Sequence, residues 1–249
     1  MLKKIIITFI LILCLTGILI SSYNIIIWKK DNNKTEEKVE EQKIESEVKE
    51  EIISTENKDL TFIDVNIKKL QDTNEDIKGW IKVNGTNIDY SFVQTDNNSF
   101  YLKHSVDKSY SKAGWVFMDF RNELENFNKN TILYAHGRAD GSMFGSLRTT
   151  LNDEWLNNKD NHYVKLTTEY NKTIWKTFSV YSINETSDYL SVNFSKDYDK
   201  FLNMIKDRSI YNFNVPLDIN DFIITLSTCK NNKVRIVLHA KLIKIEPNN

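Results

Sequence analysis

Asp221-Phe-Ile-Ile-Thr-Leu-Ser-Thr-Cys229 runs into the polar link Lys230-Asn-Asn-Lys233 and then into Val234-Arg-Ile-Val-Leu-His-Ala240. Two β-branched, apolar runs joined by a short polar link predict an antiparallel hairpin. Side chains alternate along a strand, so Thr225, Ser227 and Cys229 share one face of the first arm. Arg235, Val237 and His239 share one face of the second. A tight link brings Cys229 and Arg235 close across the hairpin when the register sets them on the same side. A thiol beside a fixed cation is chemically suggestive, because the thiolate is the reactive form and a nearby positive charge favours it.

Outward from this hairpin, further strand-like runs fall at 79–83, 88–93, 114–118, 131–135, 162–166 and 173–180, punctuated by Asn and Gly. Asn84-Gly85 is a turn signal between the first two of these. Helical patterns are fewer, at 64–70, 143–151 and 196–205; Met143, Phe144 and Leu147 have the spacing of core residues. Many short strands with a few interposed helices predict a mainly β fold, a barrel or closed sheet with appended helices. Four histidines could serve a thiol: His104, His136, His162 and His239. His136 ends the run Thr131-Ile-Leu-Tyr-Ala135 and enters the glycine-containing loop 137–142, a place where a scaffold presents reactive groups. His104 and His162 sit among polar neighbours and read as surface residues. His239 lies within a strand and reads as structural. From spacing alone, a Cys/His/Arg site competes with an inert buried cysteine.

The chain has 249 residues and a formal net charge of −1, so no basic field points to nucleic acid. Lys3 and Lys4 precede an apolar run over 5–28, and Lys29 and Lys30 follow it. About 20 apolar residues span a bilayer as a helix, and no Ala-x-Ala cleavage pattern is present. We read residues 1–30 as a retained membrane anchor, the alternative being a signal peptide cleaved after Ser21-Ser22. Cys14, preceded by Leu13, reads as a small apolar residue of that run rather than a lipid attachment site. Residues 31–57 are rich in Glu and Lys and read as a charged linker, a solvated stalk either helical or extended. Residues 58–249 form the remaining, globular domain. Acidic residues show no EF-hand pattern, and one cysteine with scattered histidines is too few for a zinc site, so no metal is implied.

Several stretches resemble class B sortases, in that family's order. Gly79-Trp-Ile81, Gly85-Thr-Asn-Ile-Asp-Tyr90 and Val93-Gln94 resemble its GWI…GT.IDY..VQ pattern. Asp96-Asn-Asn-Ser-Phe-Tyr-Leu102 resembles its DN..YL segment, and Gly114-Trp-Val-Phe-Met-Asp119 the strand after it. Tyr134-Ala-His136 with Asp140-Gly-Ser-Met-Phe144 resembles its histidine motif, and Thr225-Leu-Ser-Thr-Cys229 its TLSTC motif, with Arg235 on the next strand. The match runs from about residue 60 to 245. It departs at Ala135, at Gly137-Arg138 and in a short Cys229-to-Arg235 spacing.

The resemblance implies a sortase-type closed eight-stranded β-barrel preceded by a transmembrane helix, with the domain outside the membrane. It implies a membrane-anchored cysteine transpeptidase that needs no cofactor. Cys229 would attack the Thr carbonyl of a C-terminal sorting motif, NPQTN-like or PxTG-like, in secreted proteins. The thioacyl intermediate would pass to an amine of cell-wall peptide. His136 would act as general acid and base, and Arg235 would stabilise the oxyanion or hold the substrate backbone. Ser227, Asn98, Leu102, Tyr189 and Leu190 are carried over as substrate-binding residues. The alternatives are a hydrolase of the same motif without efficient transfer, and a non-catalytic surface module. The last predicts loss of Cys229, His136 or Arg235, and all three are present.

Overall fold

The computed structural model describes residues 2–51, 60–231 and 234–248, with side chains described from residue 6 and outside 50–51 and 229–231. The chain opens with the helix α1 (Leu2–Glu45), then β1 (Lys49–Glu51), β2 (Phe62–Asp64) and α2 (Ile67–Thr73). Six strands follow: β3 (Ile77–Val83), β4 (Asp89–Val93), β5 (Phe117–Met118), β6 (Asn130–His136), β7 (Tyr163–Thr168) and β8 (Asn171–Asn184). A short α3 (Asp153–Asn157) precedes β7, and α4 (Tyr198–Asp207) precedes the closing strands β9 (Ile223–Asn231) and β10 (Val234–Pro247).

Strands β3 to β10 close into a barrel in the order β10-β8-β7-β3-β4-β5-β6-β9. This is the eight-stranded mainly β architecture that the sequence led us to expect. Most neighbours are antiparallel; β4 with β5 and β6 with β9 are parallel. Some element ends differ from the sequence reading. Only Phe117–Met118 of 114–118 is strand. The 143–151 helix is a 3₁₀ segment over Gly145–Leu151. The helix predicted at 64–70 begins later, because Asn66 accepts the Lys69 amide and so caps α2.

Alternation divides β9 and β10 between two cores. Ile224, Leu226, Ile236 and Leu238 fill the barrel with Trp80, Trp115 and Trp175. Met143, Phe144 and Leu147 lie in that core too, each at 0 % exposure, as their spacing predicts. Ile223 and Val237 face outward, under a second layer made by α4, Phe178, Tyr181 and Tyr189. The polar residues of the outward row are therefore buried, not solvated: Thr225, Ser227 and His239 all lie beneath that layer.

His239 satisfies its ring there, as the sequence suggested. Thr225 donates to Asn130 Oδ1 at 2.7 Å, so it accepts from His239 Nδ1 at 2.9 Å. Tyr181 then donates to Nε2, also at 2.9 Å. This is a neutral imidazole, and burial pushes its pKa down from 6.5 to about 3, helped by the Arg208 charge. Below pH 6.5 the unfolded chain takes up a proton here that the folded chain refuses. The group therefore removes stability as pH falls towards 3, by about 1.4 kcal/mol per pH unit. Denaturant unfolding should show about 2 kcal/mol less stability at pH 5 than at pH 7 from this group, a difference His239→Gln should largely erase. An equal slope in the variant would refute the assignment.

Two expectations are corrected. His162 is 3 % exposed, not a surface residue; its Nε2 reaches the Leu156 carbonyl at 2.9 Å and its ring packs on Trp155 and Phe213. His104 is half-buried and stacks on Phe100. The charged segment after the apolar run is not a free solvated stalk. It continues α1 and lies along the barrel: Lys38 meets Asp107, Ser105 and Ser109, and Gln42 accepts from Ser91 at 2.7 Å. Thr35, Gln42 and Ser46 are buried in that contact. Residues 52–57 of the linker and 58–59 of the domain lie outside the described residues.

Candidate active site

The parallel pairing of β6 with β9 sets the site. Its register aligns Ile132 with Thr225, Tyr134 with Ser227 and His136 with Cys229. On the other side of β9, Arg235 of β10 is the register partner of Cys229, after a bulge between Val234 and Arg235. The Cys229 side chain lies outside the described side chains. Its backbone position is fixed between the strands that carry His136 and Arg235.

A cleft of about 490 Å³ opens over this row of residues, within the range of ligand sites. Its walls include His136 and Arg235 together with Asn98, Leu102, Tyr189, Leu190 and Ser227. Seven residues singled out from sequence thus meet on one surface, drawn from four separate stretches of chain. Leu102 is 36 % exposed, and Leu190 is half-buried and packs against the outer core.

Each wall residue has an identifiable support. His136 Nε2 donates to the Leu102 carbonyl at 2.7 Å. Tyr189 is buried at the cleft base, its hydroxyl 2.9 Å from Ser227 Oγ. Burial pushes the Tyr189 phenol above its ordinary range, so it stays protonated. Asn130 holds the loop behind it, donating to the carbonyls of Ser191 at 2.9 Å and Tyr189 at 3.3 Å. Arg235 pairs with Glu185, which follows directly on the end of β8.

Asp119, Tyr134 and Arg121 form a further support that the sequence reading missed. Asp119 is fully buried and accepts from Asn98 Nδ2 at 3.0 Å, Tyr134 Oη at 2.9 Å and both Nε and Nη2 of Arg121 at 2.8 Å. Burial alone would raise its carboxyl pKa, but the Arg121 bonds outweigh it and hold the group below the usual range. Arg121 also donates to the Leu190 carbonyl at 2.9 Å. One buried carboxylate therefore ties Asn98 on one wall to Leu190 on the other. Glu185, Thr186, Ser187, Phe117 and Thr228 also line the cleft and were likewise not anticipated. The Asp119 of the motif was visible in sequence; that it bridges two walls depends on register.

Gly114 guards the His136 position. Its φ is +63°, and a Cβ there would lie 2.5 Å from the Tyr101 carbonyl and 3.1 Å from both His136 Cδ2 and the Leu102 carbonyl. Gly114→Ala should lose about 1–3 kcal/mol of stability and about tenfold in kcat/KM as the imidazole is displaced. Thermal unfolding beside steady-state rates checks this; unchanged rates would show His136 insulated from Gly114.

Comparison with known proteins agrees with this architecture. The family model for the sortase domain matches residues 81–243. The chain belongs to the sortases. The curated sortase B of Staphylococcus aureus (strain NCTC 8325 / PS 47) is 36 % identical over 184 residues, spanning 72 % of this chain and 75 % of that one. A Bacillus anthracis sortase B structure in complex with AAEK1 superposes with a TM-score of 0.74 at 33 % identity, covering 86 % of this chain and 99 % of the other. A Staphylococcus aureus sortase B–substrate complex superposes with a TM-score of 0.67 at 36 % identity, covering 72 % and 84 %. As a class B sortase the chain is a transpeptidase, and its N-terminal helix is long and apolar enough to cross a membrane.

Proposed function

We propose that this sortase works through a Cys229 thioacyl intermediate on the C-terminal sorting motif of secreted proteins. The observation that carries this reading is the double register of Cys229 with His136 on β6 and Arg235 on β10, beside one cleft. The thiolate of Cys229 attacks the Thr carbonyl of an NPQTN-like or PxTG-like motif, forming an S–C bond and a tetrahedral oxyanion. Arg235 stabilises that charge. As the peptide bond after Thr breaks, His136 protonates the departing amine. An amine of cell-wall peptide then enters, gives its proton to His136 and displaces Cys229, which leaves as thiolate. Ser227, Tyr189, Asn98, Leu102 and Leu190 line the path of the peptide. The existence of a sortase B–substrate complex at 36 % identity favours a peptide in the corresponding cleft.

We propose further that residues 1–30 anchor the chain as a single-pass helix, that 31–57 connect, and that 58–249 form a catalytic domain on the outer side of the membrane. The uninterrupted apolar helix, with no part of its most apolar stretch covered by protein, supports this arrangement.

The deciding experiment incubates purified protein with a panel of sorting peptides, with and without excess oligoglycine or a diaminopimelate-like amine, and follows products by mass spectrometry. Peptide–amine adducts that vanish in Cys229→Ala are the expected result and identify the motif. Cleaved acid without adduct would favour hydrolysis. No product from any peptide, with a thiol that resists alkylation, would defeat the catalytic reading.

A further inference from the structure

A second groove lies away from the catalytic cleft, between α1 and the barrel. It has a volume of about 650 Å³ and lies between Trp28, Lys30 and Lys34 of the helix and Tyr110, Lys112 and Arg138 of the barrel loops. We propose that this groove seats the headgroup of an anionic phospholipid and clamps the barrel against the membrane from which α1 emerges. The proposal rests on the membrane-anchor reading above and adds to it a binding site and a ligand class.

Height is the first argument. The apolar part of α1 from Ile6 to Trp28 covers about 34 Å at 1.5 Å per residue, close to the roughly 30 Å hydrocarbon thickness of a bilayer. Trp28 therefore falls at the hydrocarbon boundary, and Lys30 and Lys34 fall within the headgroup layer. The barrel loops line the same groove, whose deeper part is made by Ser21, Asn24, Ile25 and Ile27 of the helix. Exposure is the second argument. Trp28 is 45 % and Tyr110 66 % exposed, large aromatic rings left uncovered by protein at the level where such rings favour the interface.

Charge is the third. Arg138 is held to the helix by Asp31 and Asn32 and also meets Asp140, so its charge is largely compensated. Asp31 is the one acidic lining residue. Among the described residues, Lys30, Lys34 and Lys112 form no ion pair, and all three are exposed. Three uncompensated ammonium groups around an apolar floor match a phosphodiester with its acyl chains below. The Arg138–α1 contacts keep the two walls at a fixed separation.

The test uses the full chain carrying Cys14→Ser, Cys229→Ala and Tyr110→Cys, labelled at position 110 with an environment-sensitive fluorophore. The labelled protein is placed in vesicles of phosphatidylcholine alone or with phosphatidylglycerol, each containing trace lipid with a nitroxide on its headgroup. Quenching at position 110 should be at least about twofold stronger with phosphatidylglycerol, and should fall to the phosphatidylcholine level at high salt or with Lys30→Glu, Lys34→Glu and Lys112→Glu combined. Co-flotation with vesicles is measured in parallel. Protein that floats but shows the same quenching in both lipids keeps its anchor and overturns the clamp. Protein that fails to float overturns the anchor, and the clamp with it.

Discussion

Cys229→Ala is expected to abolish both peptide cleavage and amine transfer, a fall in kcat/KM of about 10⁵-fold, because no covalent route survives without the nucleophile. The register puts no other thiol near His136: the chain's second cysteine, Cys14, lies in the apolar helix. Cys229→Ser should recover little, since a hydroxyl beside His136 is far less ionised than a thiol at neutral pH. Intact-mass spectra give an independent reading. The unsubstituted enzyme mixed with peptide should gain an acyl group in the absence of amine, and the alanine variant should not. The substitution should leave the unfolding temperature nearly unchanged, separating lost chemistry from lost fold. Transfer persisting in Cys229→Ala would force the nucleophile to be sought elsewhere.

Arg235→Ala is expected to lower kcat/KM by about 10²–10³-fold, the usual effect of removing an oxyanion donor. Arg235 faces Cys229 in register and pairs with Glu185 in the free enzyme. Glu185 is 60 % exposed, and an ion pair with so open a partner contributes about 0–1 kcal/mol. Breaking it as substrate arrives is therefore cheap, and Arg235 is held ready without being locked away. Arg235→Lys should recover only part of the rate, because a single ammonium cannot reproduce the planar fork. Glu185→Gln should change kcat/KM no more than severalfold. Steady-state kinetics on the four proteins decides the matter; full activity in Arg235→Lys would reduce Arg235 to a simple source of charge.

Much of this arrangement was legible because it is local. The alternation around Thr225, Ser227 and Cys229 predicted a strand and its polar face, and the short link after it predicted the hairpin that sets Arg235. His136 stood out as a strand end entering a glycine-containing loop. The features that escaped depend on neighbours brought from afar. His162 looked solvated among Asn and Asp, yet its spatial neighbours are Trp155 and Phe213. The Glu-rich continuation of α1 looked like a spacer because its contacts with the barrel come from scattered, mostly polar residues such as Asp31, Lys38, Gln42 and Lys43. Asp119 and Tyr134 showed no sign that they brace the cleft, since that bond appears only once β5 and β6 pair. Glu185 likewise meets Arg235 only through the pairing of β8 with β10.

Under the proposed mechanism, the pairing of β6 with β9 also governs when the enzyme becomes active. β9 is held between β6 and β10, and it follows β6, β7, β8 and α4 along the chain. His136 emerges long before Cys229, and the two become neighbours only as the barrel shuts. Contacts so distant along the chain form late and slowly. Under the proposed mechanism the site is thus an indicator of completed folding: until β9 docks on β6, His136 has no thiol beside it.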